Sequence, residues 1–204
     1  MVRAVKKPWG EEYLLYQNDN VAIWHLYIHP KEQTSLHSHP NKKTGLLVLD
    51  GVAKIRFLSN EQVLFAGDKT MIRHGVFHQT YNPVRCMLQL LEIETPVDKT
   101  DIVRLEDDYG RAGTTNMGDD AGEVYRIPDL KNSCIVGDCL LYHTSIDNVT
   151  VDDYDHVMIT SGCISSFGQN VCEPGDIIST ENFKIMSSKF DVHNIEGIWV
   201  KSCL

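Results

Sequence analysis

The chain has 204 residues, of which 42% are hydrophobic and 23% are charged, a composition typical of a globular protein and unlike that of a disordered or collagen-like chain. It carries 19 Lys and Arg against 28 Asp and Glu, for a formal charge of −9. This acidic balance argues against a nucleic-acid partner, because binding to a phosphate backbone needs a basic excess. Apolar runs such as 46–49 are far shorter than the roughly 20 residues of a membrane span, so no membrane partner is expected.

The N-terminus and the cysteines predict the cellular compartment. Residues 1–7 contain no apolar segment typical of a signal peptide. The six cysteines are dispersed and form no Cys-x-x-Cys pair, a pattern that favours reduced thiols over a disulfide framework or a zinc site. We therefore expect a cytoplasmic protein.

Short segments with alternating apolar residues follow one another through the first half of the chain. In 21–28, Trp24 and Leu26 share one face, whereas His25 and Tyr27 lie on the other. Turn residues separate this segment from the next ones. Further strands are predicted at 46–57 (a pair around Asp50-Gly51), 61–65, 69–73, 77–82 and 86–94. Many short strands at even intervals favour an antiparallel sandwich or barrel.

The pattern changes after the first barrel, which we assign to residues 1–97. Residues 101–110 predict a short helical turn that ends at Gly110. They belong to a segment, 98–122, whose second half is rich in Gly, Thr and Asp and which we interpret as a linker. Residues 123–204 then form a second β-rich domain.

The second domain resembles a degraded copy of the first. Residues 156–162 align with 45–51, and the Gly175-Asp176 turn aligns with Gly67-Asp68. Because short β patterns recur easily, two unrelated β segments that share a Gly-Asp turn are the alternative interpretation.

Three histidines form the candidate metal site. His37 and His39 are two positions apart, so in a strand both imidazoles point to the same side. His78, on a strand distant in sequence, is the candidate third ligand. Three neutral imidazoles suffice for a divalent ion and leave coordination positions open for water or substrate. The alternative is a set of buried, hydrogen-bonded histidines that bind no metal.

The residues around these histidines resemble the two motifs of the cupin superfamily, G-x5-H-x-H-x(3,4)-E-x6-G and G-x5-P-x-G-x2-H-x3-N. The resemblance covers about residues 21–94. It implies an all-β fold, the cupin double-stranded β-helix or jelly-roll barrel, with the metal on His37, His39 and His78. The motif positions present are His37, His39 and Gly51 for the first motif, and Gly67, Gly75, His78 and Asn82 for the second.

The chain departs from the motifs at three positions. Thr44 stands where the metal-binding Glu is expected, Lys31 where the first motif begins with Gly, and Arg73 where the second has Pro. A site without the carboxylate is one charge more positive, which favours an anionic ligand on the metal. The metal is a divalent Zn, Mn, Ni, Co or Fe. In the second, degenerate cupin-like repeat, the positions equivalent to the three histidines hold other residues, so that domain is expected to lack the site and to serve a structural or dimerisation role.

Two further segments resemble the phosphomannose isomerase-type cupins and related sugar-nucleotide domains. They are Lys7-Pro8-Trp9-Gly10-Glu11 and residues 103–111. This resemblance implies a small, anionic, phosphorylated sugar as the ligand, and a metal-dependent isomerisation or epimerisation of a sugar phosphate or nucleotide sugar in carbohydrate biosynthesis.

An isomerase also needs a group that moves a proton between adjacent carbons. The candidate catalytic residues are Lys43, Tyr27 and Gln89. Two other functions stay open, a three-His non-haem iron dioxygenase and a non-catalytic sugar-binding cupin. A homodimer is expected from the exposed barrel edges and the second repeat.

Overall fold

The computed structural model describes residues 4–114, 119–120, 130 and 133–202. The chain divides into two compact units, residues 1–127 and 128–204, and each is described by itself. Among the described residues, no helix has the length and the apolar character needed to cross a membrane.

The first unit consists of two antiparallel sheets. One has the strand order β12-β1-β2-β3-β10-β5-β8, and the other has the order β11-β4-β9-β6-β7. The predicted all-β jelly-roll architecture is confirmed. The strands are β1 (Ala4–Lys7), β2 (Gly10–Gln17), β3 (Ala22–Ile28), β4 (Leu36–Ser38), β5 (Lys43–Asp50), β6 (Val52–Phe57), β7 (Glu61–Phe65), β8 (Lys69–Ile72), β9 (His78–Tyr81), β10 (Leu88–Thr95), β11 (Val103–Glu106) and β12 (Asp119–Asp120).

The inner faces of the two sheets share one hydrophobic core. Alternate residues of each strand enter it because side chains point to opposite faces of a strand. Burying each large apolar side chain stabilises the fold by about 1.5–3 kcal/mol. The core includes Trp24, Leu26 and Ile28 of β3, Leu46 and Val48 of β5, Ala53 and Ile55 of β6, and Leu88 and Leu90 of β10.

The strands predicted within 46–94 are confirmed to within a few residues. The predicted pair around Asp50-Gly51 is the hairpin of β5 and β6, in which Gly51 has a φ of 91°. A Cβ on Gly51 would also lie 3.2 Å from the backbone oxygen of Met87. This turn therefore favours glycine for both its conformation and its close approach to β10.

The short helical turn predicted for 101–110 is wrong, because part of this segment is strand β11, which pairs with β4. Its side chains alternate: Arg104 is buried, whereas Val103 and Leu105 are exposed. The segment interpreted as a linker, 98–122, thus adds an edge strand to the first unit, which extends to residue 127. Residues 115–118 and 121–129 of the linker region and the start of the second domain lie outside the described residues.

The second unit contains one antiparallel sheet of order β13-β14-β18-β15-β16, with β17 paired to β15. A core that includes Trp199 and Phe183 packs on one face. Two short 3-10 helices, Ile146–Asn148 and Val151–Asp153, follow β14. The other elements are β13 (Cys134–Val136), β14 (Cys139–Ser145), β15 (His156–Ser166), β16 (Gln169–Cys172), β17 (Ile177–Ser179), α1 (Thr180–Ser187) and β18 (Asp191–Ser202).

The two units share the turn on which the predicted repeat depends. Val48 donates its N–H to the carbonyl of Asp68 (3.0 Å), and Ile159 donates to the carbonyl of Asp176 (2.9 Å). Each aspartate carboxylate also accepts from the backbone N–H three residues before it, at 2.9 and 2.8 Å. Strand β5 pairs with β10 and β8, just as β15 pairs with β18 and β17. These matches support the repeat.

The two repeats differ after strands β8 and β17. In the first unit, β8 is followed by β9, which begins with His78, whereas in the second unit β17 is followed by helix α1. Both groups of side chains that could hold a metal ion lie in the first unit, among the residues that the structure describes. The absence of metal ligands from the second repeat stays a prediction from the sequence.

Candidate metal centre

Strands β4 and β9 bring the three predicted histidines together. His37 of β4 lies directly opposite His78 of β9, and His39 follows β4. The ring centroids are 4.5 Å apart for His37 and His78, 4.9 Å for His37 and His39, and 5.5 Å for His39 and His78. One nitrogen from each ring lies within 4.8 Å of those of the other two. The predicted convergence of the three imidazoles is therefore present.

The backbone sets the tautomer of all three rings. Each Nδ1 lies within hydrogen-bond distance of a backbone carbonyl, which can only accept a hydrogen bond, so each Nδ1 carries the proton. The Nε2 atom of each ring then holds a lone pair, as in histidines that ligate metals. The carbonyls are those of Ser35 (2.8 Å from His37), Asp101 (2.5 Å from His39) and Val76 (3.0 Å from His78).

Burial keeps the three imidazoles neutral. It lowers the pKa of His78 to about 4. It also places the pKa of His37 well below its ordinary value, with a further decrease from His78 and His39. The pKa of His39 is lowered by burial and then by the nearby Lys42 ammonium. Three neutral nitrogen donors that face one point fit a divalent transition-metal ion without first losing protons.

The histidines line a cavity of about 590 Å³, including the part open to solvent. Although the chain as a whole is acidic, the described part of the cavity lining contains four cationic side chains against three carboxylates. Its lining includes the cationic side chains of Lys7, Lys99, Arg104 and Arg111 and the carboxylates of Glu12, Glu92 and Glu94.

Buried ion pairs connect the lysines and glutamates of the cavity. The Oε1 atom of Glu12 lies 3.1 Å from Lys7 Nζ and 3.5 Å from Lys99 Nζ. Glu94 binds Lys42 through Oε1 at 2.7 Å, with both side chains almost fully buried. Burial would lower the pKa of Lys99, but Glu12 and Glu94 outweigh burial and raise it. Lys99 is therefore a permanent cation beside the site.

The two glutamates of β10 differ in charge. Burial, and then the neighbouring Glu94 carboxylate, raises the pKa of Glu92 to about 7. Burial acts in the same direction on Glu94, but Lys99 and Lys42 overcome it and lower the pKa of Glu94 to about 2. The cavity thus holds Glu94 as a carboxylate at neutral pH, next to Glu92, whose carboxyl group keeps its proton to a higher pH than an ordinary glutamate.

Strand β11 contributes an arginine to the cavity. The pairing of β11 with β4 places Arg104 opposite His37, and its Nη1 atom donates to the carbonyl of Thr114 at 2.6 Å. Arg111 follows on the same segment and is held by the Asp107 carboxylate, 2.7 Å from Nη2. Two guanidinium groups beside the histidines provide the geometry that suits a phosphate group.

The structure does not bring Lys43, Tyr27 and Gln89 to this cavity. Leu26 lines it, so the next residue of β3, Tyr27, points to the opposite face, where its ring packs edge-to-face on Tyr13 at 5.5 Å. The same alternation directs Gln89 away from the cavity, because it lies between two core leucines of β10. Lys43 also points away, because its parity is opposite to that of Leu46 of β5, which lines the cavity. The catalytic role predicted for these three residues has no support from their placement.

The sequence analysis missed the charged residues of β10 and the residues that pair with them. Glu92 and Glu94 have the same parity as Leu88 and Leu90, which enter the core, so their alternation with apolar residues was a readable signal. Lys99 and Glu12 carry no such signal, since the contacts of Lys99 with Glu12 and Glu94 depend on how loops and strands far apart in sequence meet.

His25 lies on the same outward face as Gln89, which hydrogen-bonds to it. Burial lowers the pKa of His25 to about 4 from an ordinary value of 6.5. The unfolded chain therefore takes up a proton below pH 6.5 that the folded chain binds only near pH 4. The contribution of His25 to the free energy of unfolding is complete above pH 6.5 and is lost as the pH falls towards 4.

Between pH 7.5 and pH 4.5, we expect the free energy of unfolding to fall by about 2 to 3 kcal/mol less in His25→Leu than in the wild type. Urea unfolding of the wild type and the variant at both pH values measures this difference. The exposed His29 is the control, because His29→Leu should leave the pH dependence unchanged. An equal pH dependence in wild type and His25→Leu would contradict the prediction.

Comparison with known proteins places the first unit in one family. Residues 1–107 match the family described as Mannose-6-phosphate isomerase C-terminal. The chain is 27% identical over 104 residues to a mannose-1-phosphate guanylyltransferase of Sinorhizobium fredii, an alignment that covers 50% of this chain and 20% of that protein. It is 29% identical over 111 residues to the xanthan biosynthesis protein XanB of Xanthomonas campestris pv. campestris, covering 53% of this chain and 24% of the relative. The chain thus spans about a quarter or less of the length of these relatives.

Two solved structures each align with about half of the chain. A conserved protein with a double-stranded β-helix domain from Klebsiella pneumoniae aligns with a TM-score of 0.46 and 16% identity, over 50% of this chain and 89% of that one. The capsular polysaccharide assembling protein CapF of Staphylococcus aureus aligns with a TM-score of 0.49 and 18% identity, over 52% of this chain and 35% of that one.

Proposed function

Because this chain belongs to the mannose-6-phosphate isomerase C-terminal family, we propose that its first unit is a metal-dependent isomerase or epimerase of a sugar phosphate or a nucleotide sugar in carbohydrate biosynthesis. The observation that carries the proposal is the triad of His37, His39 and His78, whose ligand nitrogens lie within 4.8 Å of one another in a cavity that also contains lysines and arginines. The names of the relatives, which concern mannose phosphate and a polysaccharide, support a phosphorylated sugar as the ligand class.

The charged lining supports an anionic sugar. Arg104 and Arg111 carry planar guanidinium groups that bind phosphate oxygens in pairs. Glu12 and Glu92 offer acceptors for sugar hydroxyl groups. A ligand with a phosphate at one end and hydroxyl groups along its length would match both kinds of side chain.

The chemistry needs a Lewis acid and a group that carries a proton. A divalent ion on the three histidines would polarise a carbonyl oxygen of the sugar. We assign the proton transfer to Glu92, whose carboxyl group lies in the cavity within 4.8 Å of a ligand atom of His39. Glu92 would take the proton from one carbon and return it to the next. The buried Lys99 ammonium would hold negative charge that develops on the sugar.

Proton exchange tests the proposed function. The purified chain is loaded in turn with Mn²⁺, Zn²⁺, Co²⁺, Ni²⁺ and Fe²⁺ and mixed with mannose 6-phosphate, fructose 6-phosphate or a nucleotide sugar in D₂O. NMR then follows deuterium incorporation at the carbon next to the carbonyl group, and the wild type is expected to catalyse it while Glu92→Gln does not. Binding without exchange for every metal would leave the non-catalytic sugar-binding function, and oxygen consumption only with Fe²⁺ would favour the dioxygenase.

Arg104→Gln should weaken the binding of a sugar phosphate by about 10-fold or more, because a bidentate guanidinium contact to phosphate is lost. The bound metal should stay stoichiometric, since Arg104 is not a ligand. Isothermal titration of wild type and variant with mannose 6-phosphate measures the change. Lys43→Met serves as the control and should bind as the wild type does, because Lys43 faces away from the cavity; a loss equal to that of Arg104→Gln would restore Lys43 to the site.

A further inference from the structure

The three histidines of the triad differ in what holds their rings. In His37 and His78, Nδ1 donates to the carbonyl of the residue two positions earlier, at 2.8 and 3.0 Å, so each ring is held by its own stretch of backbone. In His39, Nδ1 donates at 2.5 Å to the carbonyl of Asp101, which lies 62 residues further along the chain. His39 also follows the end of β4 and is not part of a strand. The orientation of its ring therefore depends on a segment that is distant in sequence.

The side chain of Asp101 holds the backbone that follows His39. Its Oδ2 atom accepts from the backbone N–H of Lys42 at 2.9 Å and from that of Asn41 at 3.0 Å. Its Oδ1 atom accepts from the side-chain amide of Asn41 at 2.9 Å. Asp101 and His39 are both buried, and hydrogen bonds to a carboxylate are about twice as strong as those between neutral groups. One residue thus fixes both the ring of His39 and the backbone just after it.

The segment between β10 and β11, residues 98–102, carries this carboxylate and is called the strap. Lys99 anchors it, because its Nζ atom lies 3.5 Å from a carboxylate oxygen of Glu12 and 3.5 Å from one of Glu94. The same ammonium lies 3.6 Å from the centre of the Trp24 ring, within the range of a cation–π contact. These contacts tie the strap to β2, β3 and β10. The strap therefore presents its carbonyl to the histidine ring from a fixed position.

We propose that Asp101 is a positioning residue of the metal site, whose carboxylate fastens the strap to the loop after β4 and so keeps its own carbonyl in place for Nδ1 of His39. Local backbone orients His37 and His78, whereas the strap orients His39. Without the carboxylate, the hydrogen bond to Nδ1 is lost and the proton of His39 can move to Nε2, the atom that would bind the metal. The effect on the metal rests on the proposed function, but the tautomer of the ring does not.

Nitrogen NMR of the metal-free full chain tests the orientation of the ring directly. Asp101→Asn keeps the size of the side chain but replaces one acceptor oxygen by an NH₂ group, which cannot accept from a backbone N–H. In ¹H–¹⁵N spectra of the imidazoles at pH 8, we expect His39 to change from a single Nδ1–H tautomer to a mixture, while His37 and His78 keep theirs. The spectrum of His39→Gln identifies the signals of His39. An unchanged tautomer of His39 in Asp101→Asn would overturn the proposal.

Metal titration measures the consequence for the site. We expect Asp101→Asn to weaken Co²⁺ binding about 10- to 100-fold and to change the visible absorption of the bound ion, because His39 no longer presents Nε2 in a fixed geometry. Both effects are followed in one absorption titration of the full chain.

Asp107→Asn is the matched control. The Asp107 side chain is also buried and accepts from a backbone N–H at 2.7 Å, but it holds Arg111 instead of a histidine. We expect the Co²⁺ affinity of this variant to stay within a few-fold of the wild type and the tautomer of His39 to stay unchanged. An equal change in Asp101→Asn and Asp107→Asn would mean a general loosening of this part of the chain and would overturn the proposal.

Two further variants separate a failed fold and a failed premise from a failed assignment. If Asp101→Asn does not fold, Asp101→Ser, whose hydroxyl can accept from one backbone N–H, is measured instead with the same expectations. If His37→Ala binds Co²⁺ as the wild type does, the proposed metal site is wrong, and the NMR result alone decides the role of Asp101. If His37→Ala abolishes binding while Asp101→Asn binds as the wild type does, the proposed function stands and Asp101 does not position a metal ligand.

Discussion

Replacing His37 or His78 by Ala is expected to remove the bound metal from the purified chain while the barrel stays folded. Each variant deletes one of three nitrogen donors that converge within 4.8 Å, and two imidazoles hold a divalent ion far more weakly than three. Each also leaves a backbone carbonyl, of Ser35 or Val76, without its donor. That loss costs about 1–3 kcal/mol, less than the roughly 5–15 kcal/mol that stabilise a typical domain.

Metal analysis after dialysis gives the stoichiometry, and circular dichroism with thermal unfolding reports on the fold. His74 supplies a matched control, since it is exposed and lies four residues before His78. His74→Ala should keep the metal content of the wild type. Stoichiometric metal in the double variant His37→Ala, His78→Ala would mean that the ion binds elsewhere, and the interpretation of the triad would be wrong.

The strands of the first unit could be predicted because alternation is a local property of the sequence. The period-two pattern of β3 is written in adjacent residues, and the spacing of His37 and His39 places both rings on one side of the chain by strand geometry alone. The cupin resemblance then supplied His78, which β9 brings opposite His37. The tautomers could not be predicted, because each depends on a carbonyl whose position the fold decides; Asp101, which binds His39, lies far away in sequence.

The orientation of β3 explains why Tyr27, one of the predicted catalytic residues, lies outside the cavity. Both faces of β3 carry side chains that could line a binding site, and the sequence pattern does not show which face is enclosed. The structure encloses the face of Trp24 and Leu26, which directs Tyr27 outward. Glu94 was missed although it shares the parity of the core residues Leu88 and Leu90, because its burial as a charged group depends on Lys42, which lies far away in sequence. The cytoplasmic location and the homodimer stay predictions from the sequence.

Lys42→Met is expected to destabilise the chain by about 3 kcal/mol, because it leaves the Glu94 carboxylate buried without the ammonium that binds it at 2.7 Å. Lys99, 3.5 Å from the other carboxylate oxygen, limits the loss.

Urea unfolding of the wild type and the variant measures the loss of stability. Lys54→Met is the matched control, since Lys54 binds Glu61 at the same 2.7 Å but both side chains are partly exposed, at 35% and 54%. Exposed pairs contribute about 0–1 kcal/mol, so this variant should unfold almost as the wild type does. Equal destabilisation by the two substitutions would mean that burial adds nothing to the Lys42–Glu94 pair.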